Sequence, residues 1–153
     1  MDRQRIFRVK KELVRLIEAL PQSTLFTVMS FNHQIHYIGD APRLWTATPE
    51  NKKKAQDWVT SMKAEGETWT DTAFEKAFGE VKDVDTVYFL SDGEPYRNGK
   101  EIPDNQVLDG IKSTNRFVKC RVHTFGFIQA GVNLRGFLQS LAAQNDGKYT
   151  GLR

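Results

Sequence analysis

The densest chemistry in the chain is Ser91-Asp92-Gly93-Glu94, a hydroxyl and two carboxylates that follow directly on the apolar run Val87-Tyr88-Phe89-Leu90. A run without polar alternation predicts a strand covered on both faces of a parallel sheet, and ligands of open α/β sheets gather beyond the carboxyl ends of such strands. Asp92 at that edge suits a nucleophile assisted by Ser91 or Glu94 or, with Gly93, an ordinary turn former. A second polar loop, Glu65–Asp71, precedes a helical pattern that Thr70 or Asp71 would cap. His33 and His36, three apart in a predicted hairpin, point to opposite faces and suit joint metal ligation poorly. Cys120 and His123 fall in or beside a further strand, where a packed, hydrogen-bonded histidine is expected. A triad of Ser91, Asp92 and His123 would have to be assembled at the sheet top, and nothing in the spacing asks for it.

The elements that position these residues follow from periodicity. Ile6, Val9, Leu13, Leu16, Ile17 and Leu20 recur at helical spacing up to Pro21, with arginines and lysines mostly elsewhere. Thr24–Phe31 predicts a buried strand, Gln34–Ile38 its antiparallel partner after Asn32, and Gly39–Ala47 an irregular connection. Thr48-Pro49-Glu50 opens a helix to about Ala64, with Ala55, Trp58, Val59 and Met62 inward and Lys52-Lys53-Lys54 on the wet face. Ala73, Phe74, Ala77, Phe78 and Val81 mark the next helix. Beyond the central strand, Tyr96–Ile102 predicts a polar loop, Pro103–Asn115 a helix and Val118–Phe127 a strand. Asn133 caps a last helix that stops at Asp146-Gly147, before a short strand at Lys148–Thr150. Alternating strands and helices predict a three-layer α/β/α, doubly wound, mostly parallel sheet with one antiparallel edge strand.

At 153 residues the chain fits a single domain, 1–153, with one core. A net charge of +3, spread along the chain, argues against nucleic acid as a partner. One cysteine excludes an internal disulfide and favours a reducing, cytoplasmic setting while leaving localisation open, and no segment is apolar enough for a membrane span. The nucleotide-binding and hydrolase signatures GxGxxG, GxxxxGK[ST] and GxSxG are absent from the expected places.

The segments RIFRVKKELVRLIEALP, LFTVMSFN, TPENKKKAQDWV, GETWTDTAFEKAF, TVYFLSDGEP and HTFGF together resemble a von Willebrand factor A domain, closest to its bacterial branch. The resemblance spans essentially the whole chain. It implies a doubly wound sheet bearing a metal-ion-dependent adhesion site at its carboxyl edge, built from a DxSxS loop, a threonine loop and an aspartate loop. Thr68 then corresponds to the threonine and Asp92 to the aspartate, with Gly93 letting the backbone turn near the ion and Ser91, Glu94 and Glu67 around it. Glu67 replaces the middle glycine of the usual GGT. Hydroxyl and carboxylate oxygens suit Mg²⁺ or Mn²⁺.

DxSxS and the strand before it are absent, which implies an amino-terminally truncated domain with Met1 standing for the methionine of SGSM. With half its anchors, such a site is expected to hold Mg²⁺ no better than roughly millimolar, and restoring a strand ending in DxSGS to tighten it by at least ~1.4 kcal/mol, a tenfold gain. Leu25–Phe31 and Val87–Leu90, which flank the absent strand in the family, must then pair directly or leave edges open to self-association. The implied role is a non-catalytic interaction module taking an acidic side chain of a protein partner, with Trp69, Tyr96 and Trp45 as aromatic contacts. The alternatives are a metal-dependent hydrolase or phosphotransferase using Asp92, and a metal-free structural remnant.

Overall fold

A computed structural model describes residues 3–63 and 65–153, which form two compact units, one up to Gly66 and the other Glu67–Arg153. In the first, Leu13, Val14 and Ile17 of α1 (Arg3–Ala19) pack into a cluster with Phe26, Val28, Ile38, Ala47, Ala55 and Val59. The second helix, α2 (Pro49–Ser61), starts as the sequence predicts: Thr48 Oγ1 accepts the Asn51 N–H at 3.2 Å and Pro49 fills the first turn. Its expected end at Ala64 lies outside the described residues.

The lysine run departs from the expected wet face. Lys53 and Lys54 do pair with Asp57 and Glu50 in solvent, but Lys52 Nζ donates to the carbonyls of Glu18 (2.8 Å) and Leu20 (2.6 Å), closing the end of α1. Lys10 returns the contact by donating to Thr60 O at 2.7 Å, so the two helices run antiparallel.

The predicted strand Thr24–Phe31 is two strands, β1 (Leu25–Phe26) and β2 (Met29–Phe31), followed by β3 (Ile35–Tyr37) and β4 (Trp45–Thr46). The break lets the chain change partner: β1 pairs antiparallel with β4 from the segment expected to be irregular, and β2 with β3. Val28, inside the break, is buried and its carbonyl accepts the Ile38 N–H at 2.9 Å. The β2–β3 hairpin turns where predicted, with Asn32 Oδ1 accepting the Gln34 N–H at 2.6 Å. His33 falls in this turn, and only His36 lies on a strand, exposed opposite Ser30.

The second unit holds α3 (Thr70–Glu80), β5 (Thr86–Leu90), β6 (Tyr96–Arg97), β7 (Lys100–Glu101), α4 (Asp104–Val118), β8 (Arg121–Phe127), α5 (Val132–Ala143) and β9 (Tyr149–Leu152). Its sheet is parallel in the order β5-β8-β9, with Leu90 opposite Phe125 and Phe127 opposite Leu152, so the carboxyl ends share one edge. Phe89, Val122 and Thr124 face the helices: the Phe74 ring of α3 lies 5.1 Å from Phe89, and Thr124 Oγ1 donates to Leu138 O of α5 at 2.7 Å. The other face carries Tyr88, 46% exposed, so β5 is not covered on both faces as its composition suggests. Tyr88 stacks on His123 at 5.3 Å, and an aromatic ring with a polar tip tolerates that half-exposed place.

Three boundaries shift for local reasons. The helix α4 runs on to Val118 and closes at Lys119 in the left-handed region (φ 59°), which delays β8 to Arg121. Gly131, not Asn133, occupies the N-cap of α5, and Asn133 lies in its first turn. Neither Thr70 nor Asp71 caps α3: Trp69 holds the N-cap without a side-chain bond, Asp71 turns to Arg97, and the Thr70 hydroxyl is buried.

Candidate functional site

Thr68 stands immediately before α3, half-buried, in a loop gripped from both sides by the β6–β7 hairpin. Its carbonyl accepts the Tyr96 N–H at 2.9 Å and the Thr70 N–H at 3.0 Å. One residue earlier, the Glu67 carboxylate accepts the Gly99 N–H (2.8 Å), the Asn98 N–H (2.9 Å) and the Trp69 indole N–H (2.7 Å). Beyond Thr68, the Arg97 guanidinium lies 4.8 Å from the Trp69 ring, donates to Asp71 Oδ1 at 2.7 Å and bonds the Thr72 hydroxyl. The hairpin was expected to be loop. Its signal is Asn98-Gly99, both at positive φ (53° and 75°), the dipeptide that two-residue hairpins favour.

The aspartate loop meets Thr68 at Gly93. A Cβ added there would come within 3.0 Å of Thr68 Oγ1, so the missing side chain is what lets the loops approach. Ser91 is buried, and its hydroxyl donates to Gly93 O at 2.9 Å, shaping the turn that carries the half-buried Asp92. Register separates Ser91 from His123, which stands opposite Tyr88 three residues earlier. His123 Nδ1 accepts the Lys148 N–H at 3.1 Å, and burial, then the charges of Arg121 and Lys148, lower its pKa. The packed, hydrogen-bonded histidine is therefore observed. Cys120 is buried, and desolvation, then Asp85, pushes its thiol up to about 11, which leaves it unreactive at neutral pH.

A cleft of about 300 Å³ beside the aspartate loop is lined by Glu94, Pro95, Glu101, Ile102, Pro103, Asp104 and Asn133. Burial, then Glu101, raises the Asp104 pKa. Thus Thr68, Trp69, Glu67, Tyr96 and the Ser91–Glu94 turn share one neighbourhood. Trp45 belongs to the first unit, where its ring packs on the core cluster and over Gly39. No group of three or more His, Cys, Asp or Glu side chains disposed for a metal ion occurs among the described residues.

No protein-family model matches the chain. It is 27% identical over 142 residues to human von Willebrand factor A domain-containing protein 3B and 30% identical over 144 residues to human von Willebrand factor A domain-containing protein 3A. These matches cover 92% and 93% of the chain but 10% and 12% of the relatives, so it spans about a tenth of their length. Among solved structures, a von Willebrand factor type A protein from Catenulispora acidiphila superposes with a TM-score of 0.78 at 14% identity, over 99% of this chain and 35% of that one. Proximal thread matrix protein 1 from the mussel byssus gives 0.66 at 17% identity, over 95% of this chain and 36% of that one. The kinship to a bacterial branch rests on the motif resemblance alone. Sequence similarity to two von Willebrand factor A proteins and an α/β fold shared along nearly its whole length agree: the chain is a von Willebrand factor A domain.

Proposed function

We propose that the chain is a non-catalytic protein-interaction module whose carboxyl-edge site takes Mg²⁺ or Mn²⁺ through Thr68 and Asp92 and, through the ion, an acidic side chain of a protein partner. The observation that carries this is the approach of Thr68 Oγ1 to the aspartate loop at Gly93. A hydroxyl and a carboxylate fit a hard cation that keeps several waters. Tyr96, 38% exposed, offers an aromatic contact beside the site, whereas one face of Trp69 is taken by Arg97. Hydrolysis or phosphoryl transfer through Asp92 has less support, because the Ser91 hydroxyl is bonded to Gly93 O and His123 lies three register positions away. No helix among the described residues is long and apolar enough to cross a membrane.

Calorimetric titration with Mn²⁺ tests this reading. Asp92→Ala is expected to abolish binding with the fold intact, and Thr68→Ala to weaken it less. Unchanged titration of Asp92→Ala would refute the assignment.

A further inference from the structure

Glu67, the carboxylate that stands beside Thr68 in sequence, directs both oxygens at the hairpin turn and the Trp69 indole. The hairpin in turn holds the Thr68 carbonyl through Tyr96 N–H, and Arg97 fixes the far side of the loop through Trp69, Asp71 and Thr72. Thr68 is therefore the centre of a closed ring of contacts running from 67 to 72 and back through 96 to 99. Charge-assisted bonds to backbone N–H groups and a stacked, bidentate-capable guanidinium are among the stronger fixings available to a surface loop.

We propose that Glu67 and Arg97 are positioning residues for the cation site: they lock the β6–β7 hairpin onto the threonine loop, so that Thr68 Oγ1 is presented to the aspartate loop at Gly93. The inference rests on the cation reading above. It deepens that reading by giving Glu67, which the ligand set of Thr68 and Asp92 leaves beside the site, a partner in the hairpin, and it adds a residue, Arg97, that no ligand count includes.

Arg97 makes the decisive variant, because electrostatics and positioning act on it with opposite sign. Removing a positive charge near a cation site by itself tightens cation binding. Loss of the lock weakens it, by about tenfold as for other residues that orient metal ligands. Mn²⁺ titration of Arg97→Ala and Glu67→Ala is therefore expected to show weaker binding for both. Amide exchange at Asn98 and Gly99, measured without metal, is expected to quicken in Glu67→Ala. A core variant such as Val107→Ala, in a residue that is 1% exposed, controls for general destabilisation and is expected to leave Mn²⁺ affinity unchanged.

Tighter or unchanged binding by Arg97→Ala, with binding still lost in Asp92→Ala, overturns the positioning role and leaves the cation reading standing. Weakening in Glu67→Ala without weakening in Arg97→Ala also overturns it and makes Glu67 a ligand. Absence of Mn²⁺ binding by the unaltered chain overturns both readings. Should Glu67→Ala fail to fold, Glu67→Gln, which keeps one acceptor oxygen, is expected to weaken binding less than Arg97→Ala, and unaltered exchange at Asn98 and Gly99 in it would count against the lock.

Discussion

The two ends of the parallel sheet in the second unit treat buried polar groups in opposite ways. At the amino end, where β8 begins, Asn115 Oδ1 accepts the Cys120 N–H at 2.7 Å, and its Nδ2 donates to Cys120 O at 2.6 Å and Asn145 Oδ1 at 2.7 Å. Asn145 Nδ2 donates to Leu141 O at 2.8 Å, and its carbonyl accepts the Val122 N–H at 3.0 Å. Each amide of that knot has partners, and it ties the ends of α4 and α5 to the start of β8. At the carboxyl end, the buried Ser91 hydroxyl is bonded to Gly93 O, but the Thr70 hydroxyl and Arg97 Nε are buried and meet no hydrogen-bond partner among the described residues. A satisfied network specifies a scaffold, whereas polar groups left without partners beside a loop mark where a fold has been shaped for something other than stability.

The largest effect is expected from breaking the satisfied end. Asn115→Ala removes three hydrogen bonds and strands the Cys120 N–H and the Asn145 oxygen, so a loss of about 3 kcal/mol in urea unfolding is expected. Cation affinity should stay as it is in the unaltered chain. A loss below about 1 kcal/mol would mean that water replaces the side chain, and the amino end would not be the rigid one.

The opposite end gives a smaller change of opposite sign. Thr70→Val keeps the shape of a side chain that is 0% exposed and removes its unpartnered hydroxyl, so a gain of about 1 kcal/mol is expected. Destabilisation by the same change would show that the hydroxyl is satisfied and would erase the contrast between the two ends.

Sequence periodicity made the scaffold legible and left most of the site's supports hidden. The stripes of α1, α2 and α3, the Thr48 cap and the parallel strands β5 and β8 were all readable, because a buried helix face leaves a 3.6-residue period, a strand in a parallel sheet leaves a short apolar run, and capping leaves a hydroxyl at a fixed offset. Resemblance supplied Thr68 and Asp92. The ring that holds Thr68 was not readable, since Glu67 meets Asn98 and Gly99 across 31 and 32 residues and Arg97 meets Asp71 across 26. Such a bond leaves no period. Only Asn98-Gly99 announced the hairpin, and its turn chemistry outweighs the polar composition that suggests a loop. The continuous strand Thr24–Phe31 fails for a related reason: β-propensity says nothing of which partner a strand takes, and here the partner changes midway.

His123 lies between the two ends, on the sheet face that carries Tyr88, and gives the smallest expected effect. Its Nδ1 accepts the Lys148 N–H, so the neutral ring is the form the fold uses, with the second proton excluded by burial and by the neighbouring charges of Arg121 and Lys148. Those causes place the folded pKa below the ordinary value of 6.5, which means the unfolded chain binds more protons in that window. The contribution is thus complete above 6.5 and is lost as pH falls through the lower, folded value. Because the ring is only partly buried, the shift in the denaturant midpoint between pH of about 7.5 and about 5.5 should be modest. It should be reduced in His123→Gln, whose side chain does not titrate, while the effects of Asn115→Ala and Thr70→Val should persist at either pH. An undiminished pH dependence in His123→Gln would assign the titration to another group and leave His123 as packing alone.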